Sequence, residues 1–177
     1  MNKKRALPII LERGLPILAY IFPLMETLYF FSTRVFLYTD NVELKIFFLK
    51  YLQGIVLIYQ NNIYASFFLS VAVFSTCSRN ALPLTNTPLP LTKFMRLNII
   101  QAILIEIAIT CVGQIFLLSP SIIKNGLLGT LISNGCFMGV FLLILYSSFL
   151  IMLGRVPRLP IITQSARFNV QRGWLSD

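Results

Sequence analysis

Residues 126–154 read GLLGTLISNGCFMGVFLLILYSSFLIMLG and lie within a 30-residue interval, between Lys124 and Arg155, that contains no charged side chain. A bilayer core about 30 Å thick is crossed by ~20 apolar residues in an α-helix. Lipid offers backbone groups no hydrogen-bond partners, so a helix, which pairs them internally, is the expected spanning form. This stretch therefore predicts a transmembrane helix over 127–153.

The same test, applied outward, finds three more intervals. Between Arg96 and Lys124 there are 27 residues with Glu106 as the sole charge, and between Lys50 and Arg79 there are 28 with none. Between Arg13 and Arg34 there are 20, interrupted only by Glu26. The reading is an all-α, polytopic membrane protein forming one membrane domain over 1–177, with spans at about 15–35, 61–78, 94–118 and 127–153. Residues 44–59, LKIFFLKYLQGIVLIY, are apolar but carry Lys45, Lys50 and Gln53. They read either as a short helix in the headgroup layer with snorkelling lysines or as the beginning of the second span.

Composition agrees. The 177 residues are 56% hydrophobic and 12% charged, against about 25% charged in soluble domains. Histidine is absent, which excludes Ser-His-Asp and Cys-His nucleophile systems and His-ligated metal centres. Cys77, Cys111 and Cys136 are far apart in apolar runs and form no CxxC pair, so they read as buried small hydrophobes. The expectation is a protein without catalytic activity, cofactor or metal. The 15 Lys+Arg against 6 Asp+Glu are explained by topology and by attraction to anionic lipid headgroups, not by nucleic acid. With four spans, one side of the membrane receives eleven of the basic residues and the other receives Arg34, Lys45, Lys50 and Lys124. Both termini are then expected on the side from which the chain inserts. The opening MNKKRALPIILERGLPILAY shows no cleavage site or Ser-rich transit character. The proline-rich residues 80–90, NALPLTNTPLP, read as the turn between the second and third spans, and the tail 155–177 as an extended polar segment.

Two acidic residues fall deep in predicted spans. Glu106 is central in the third, and Asn98 and Gln101 lie with it within about a 140° arc of the helix, Arg96 standing at the entrance. Glu26 lies near mid-depth in the first, beside Pro23. A charge there costs about 2.5–3.5 kcal/mol on insertion scales and needs a partner or a hydrated cavity. Glu26, Arg96, Asn98, Gln101 and Glu106 are therefore candidates either to line a path or to hold helices together. Gly135 and Gly139 form a GxxxG pair that reads as helix packing.

Residues 93–107, KFMRLNIIQAILIEI, carry a resemblance. They are similar to the R-F-N-x-x-Q-A-x-x-x-D-I signature of the twenty-kilodalton subunit family of the TIC protein-import translocon of the chloroplast inner envelope. Arg96, Asn98, Gln101, Ala102 and Glu106 occupy signature positions, with Leu97 in place of Phe and Glu106 in place of Asp. Residues 62–66 (NIYAS), 78–80 (SRN), 23–26 (PLME) and 157–166 (PRLPIITQSA) resemble further family motifs in the same order, with Gln164 where an acidic residue is common. The resemblance implies a subunit that forms or borders the preprotein path of the plastid inner envelope, both termini in the stroma. Its implied partners are other inner- and outer-envelope translocon subunits and transiting preproteins; because four helices are few for a wide pore in one copy, further copies of the chain are expected as well. A cyanobacterial plasma membrane is the alternative location. On the residues alone, a small solute or ion transporter using Glu26 and Glu106 is the competing function, and a scaffold without a conduit is a third.

Overall fold

The computed structural model describes residues 8–38, 41–79 and 91–172, and among them every regular element is helical. The proline-rich turn expected at 80–90 and the leading Lys3, Lys4 and Arg5 lie outside the described residues. Helices α1 (Ile9–Ala19) and α2 (Ile21–Ser32) run on through a π-helical turn at Thr33–Leu37. Together they form a 29-residue apolar helix, Ile9–Leu37, interrupted at Tyr20. Pro23 accounts for the interruption. It has no N–H for the carbonyl of Ala19, and its ring crowds that carbonyl, so the chain turns where the bond is missing.

After Asn41, whose Oδ1 accepts from the backbone N–H groups of Glu43 and Leu44 at 2.9 and 3.2 Å, the chain is helical again. Helix α3 (Val42–Phe47), a π-helical turn (Phe48–Leu52) and α4 (Gln53–Asn61) follow one another without a break. Most of this segment is exposed, and its one buried side chain is Phe48. The Phe48 ring stacks on Phe36, which in turn meets Phe137 edge-on, both with centroids 5.4 Å apart. Asn62 leaves helical geometry, with φ −119° and ψ 21°, and α5 (Ile63–Arg79) begins beyond it. Its 17 residues rise about 25 Å, the shortest of the four apolar helices.

Helix α6 (Lys93–Leu118), capped by Thr92 Oγ1 accepting from the Met95 N–H at 3.3 Å, is the central pillar. It packs against α1, α2, α5 and α9. A short α7 (Ser121–Asn125) turns the chain into α8 (Leu127–Met152). The most apolar 18-residue window of α6 is 56% buried and that of α8 only 11%, so α8 presents most of its surface outward. Thus three helices are long and apolar enough to cross a bilayer, with α5 as a shorter fourth. The protein is an all-α, polytopic membrane protein.

The tail departs from the sequence reading. Residues 155–159 have no regular structure, but Ile162–Arg172 forms helix α9, which buries Thr163, Ala166 and Val170 and packs across α6 and α5. Tail charges masked this element, because only every third or fourth residue is apolar or small enough to be covered.

Candidate functional site

The polar stripe expected along α6 divides into two separate groups. Arg96, Asn98 and Gln101 belong to one end of the bundle. Arg96 is 1% exposed, with Nε and Nη2 each donating at 2.6 Å to the carbonyls of Cys77 and Ser78. Those are late carbonyls of α5, which have no partner within their own helix. The guanidinium thus ties the end of α5 to the beginning of α6. Gln101 Nε2 donates to the Pro157 carbonyl at 3.2 Å and to Thr163 Oγ1 at 2.8 Å. Thr163 Oγ1 also accepts from the Leu159 N–H at 2.7 Å and donates to the Pro157 carbonyl at 3.1 Å. This knot fixes the α8–α9 link to the central helix. Asn98 Nδ2 donates to the Phe94 carbonyl one turn earlier, leaving its buried Oδ1 unpaired.

Glu26 and Glu106 belong to the second group, deeper in the bundle, 6% and 3% exposed. Tyr59 of α4 donates its hydroxyl to Glu26 Oε1 at 3.0 Å, and Ser66 of α5 donates to Tyr59 Oη at 3.3 Å. Four helices therefore meet at this cluster. Thr110 and Ser70, which flank it, donate to the backbone carbonyls of Glu106 (2.9 Å) and Phe67 (3.0 Å). Glu26 Oε2 and Glu106 Oε2 are buried with no hydrogen-bond partner. A crevice of about 260 Å³ between α5 and α6 reaches Glu106, walled by Phe67, Phe74, Ile107 and Cys111. It is an apolar cleft with a carboxyl at its floor, able to receive an apolar group carrying a hydrogen-bond donor.

Sequence reasoning identified the two carboxyls and missed what surrounds them. Ser66 and Ser70 on α5, and Glu106 and Thr110 on α6, sit at i, i+4 spacing in otherwise apolar runs. That was the available signal for one polar face on each helix. Tyr59 carried no such signal, since the turn at Asn62 brings it to Glu26.

Gly135 and Gly139 do not pack helices together within the chain. A Cβ built on either meets nothing within 4 Å, and both lie on the exposed side of α8. The inward side of α8 uses Gly129, Ser133, Ser147 and Ile151 instead. The close glycine contact is at Gly113 of α6, where a Cβ would run into the Phe30 ring. Among the described residues no cluster of three or more His, Cys, Asp or Glu side chains exists that would hold a metal.

Fold and site together define a small polytopic helical membrane protein built around a buried carboxyl cluster. Residues 4–166 match the family described as chloroplast import apparatus Tic20-like. The chain belongs to that family, which is characterised by import and not by a catalysed reaction. It is also similar to the Tic20 family protein Ycf60 of Gracilaria tenuistipitata var. liui, at 27% identity over 162 residues, covering 91% of this chain and 76% of that protein.

Proposed function

We propose that this chain is a membrane subunit of the protein-import translocon of the plastid inner envelope, bordering the path taken by preproteins. Family membership supports a role in plastid import. The observation that carries the finer reading is the crevice between α5 and α6 with Glu106 at its floor and an unpaired carboxyl oxygen. A wall that an unfolded chain slides past needs scattered polar contacts and no deep, tight pocket, because strong binding would stall transit. An apolar cleft whose polar groups are confined to Ser70, Glu106 and Thr110 fits that need. The family's role in import supports a subunit that acts without catalysis.

Four helices are too few to enclose a wide pore, so other envelope subunits or further copies complete the path. The exposed Gly135 and Gly139 on α8 offer a neighbouring helix a close approach. Both termini face the stroma in this reading, which puts Arg13, Arg79, Arg96, Arg155, Arg158 and Arg167 on the inserting side. The start of the α3–α4 segment, with Lys45 half-buried and Lys50 exposed, lies toward the opposite headgroup layer, and α4 runs inward from it to Tyr59 at Glu26.

The test is a photo-crosslinking residue at Ile107 or Cys111, with an arrested preprotein in intact envelope and Leu142 on the outer face of α8 as control. Adducts to preprotein from the crevice positions and not from Leu142 are expected. Absence of adducts from the crevice overturns the path assignment. The transporter reading rests on the same carboxyls. It predicts that Glu106→Gln abolishes solute or ion flux through reconstituted protein, whereas the import reading predicts only a partial loss of import.

A further inference from the structure

Beneath the knot at Gln101, the chain leaving α8 and helix α9 enclose two adjoining clefts of about 660 and 590 Å³ that share Arg158 and Arg167. The second is also lined by Arg155 and, from α8, by Tyr146 and Leu150. Three guanidinium groups from two elements thus converge on one space. None of the residues lining either cleft is acidic, and among the described residues no carboxylate pairs with the three arginines. Topology alone requires basic residues at this end of the bundle. It does not require them to face a common cleft, where like charges repel unless an anion sits between them.

Depth and surroundings indicate which anion. Arg155 follows directly on the glycine that ends α8, so the guanidiniums stand at headgroup level. Leu150 and Tyr146 lie about 7 and 13 Å further into the apolar layer. Below the arginines, the outer side of α8 is bare, with Leu142, Leu145 and Phe149 all exposed. Ile161, at the rim of the first cleft, is 81% exposed. A phosphate or sulfonate head with acyl chains attached satisfies both the charges and the apolar surface beneath them, and arginine suits such oxyanions through its paired donors.

We infer that Arg155, Arg158 and Arg167 form a binding site for the head group of an anionic membrane lipid whose acyl chains lie along α8. The test is native mass spectrometry of the full chain, released from neutral detergent containing equal phosphatidylglycerol and phosphatidylcholine. Wild type retains phosphatidylglycerol in preference. At about fivefold in affinity per basic residue at a membrane surface, Arg158→Gln with Arg167→Gln lowers that retention about thirtyfold. Phosphatidylcholine retention and helix content stay unchanged, and the paired Lys variants keep part of the preference. Equal retention of the two lipids by wild type overturns the inference, whether or not the variants fold. So does unchanged phosphatidylglycerol retention in the Gln variant. Displacement of the lipid by millimolar inorganic phosphate assigns the site to a free phosphate and overturns the lipid assignment, whereas its persistence supports it.

Discussion

Arg96 is the residue whose chemistry is most completely used. Both of its bonds are to carbonyls at the end of α5, and its charge is covered by protein. Hydrogen bonds made by a charged group contribute about 1.5–3 kcal/mol each. Arg96→Met removes both and is expected to lower stability in detergent by roughly 3 kcal/mol or more, read as thermal unfolding of the purified protein. Arg96→Lys keeps the charge but not the two-pronged fork, and falls between the two. At the acidic cluster, Tyr59→Phe deletes the donor to Glu26 Oε1. The carboxyl then has both oxygens unpaired, for a loss of about 1–3 kcal/mol. Should Tyr59→Phe leave the unfolding temperature unchanged, the Tyr59–Glu26 bond does not hold α4 to α2. The sequence marked Glu26 as a costly charge in an apolar span and Arg96 as a polar residue at the entrance of another, but their partners lie 33 and 18 positions away.

Among the elements, the end of α8 shows how backbone geometry selects a residue. Gly154 has φ +73°, and its N–H and that of Arg155 bond back to the carbonyls of Ile151 and Leu150, both at 2.9 Å. This closes the helix in the manner of a Schellman turn. Arg13 Nη1 donates to the Met152 carbonyl at 2.7 Å, and its guanidinium would lie 3.3 Å from a Cβ on Gly154. Gly154→Ala is expected to cost about 1–2 kcal/mol from the left-handed conformation alone, measured by the same unfolding assay. The opposite sign is expected at Ile161. This β-branched residue is held at φ 65° just before α9, so Ile161→Gly relieves strain and stabilises the α9 junction by about 1 kcal/mol. At Gly113 the constraint is a neighbour and not its own backbone. Gly113→Ala pushes the Phe30 ring aside, with a cost of roughly 1–3 kcal/mol as for other overpacked cores.

For the whole molecule, α9 closes one end of the bundle, and its removal is a test of the architecture. A chain ending at Pro160 loses Thr163 as the partner of Gln101 and uncovers the beginning of α6. Hydrogen exchange over 93–103 is expected to accelerate while α8 amides keep their protection. Equal acceleration in both would mean that α9 supports the bundle globally and not at α6 alone. The all-α membrane character and the long apolar helices over Lys93–Leu118 and Leu127–Met152 follow from the sequence by itself. Bilayer thickness and the cost of charge in lipid act on each segment independently of its neighbours. Tertiary structure decided what faced what. It separated Arg96, Asn98 and Gln101 from Glu106 along a single helix, turned Gly135 and Gly139 outward, and folded a polar tail into α9. These outcomes depend on which distant side chain arrives to pair a buried group, and helical periodicity within one segment carries no record of that partner.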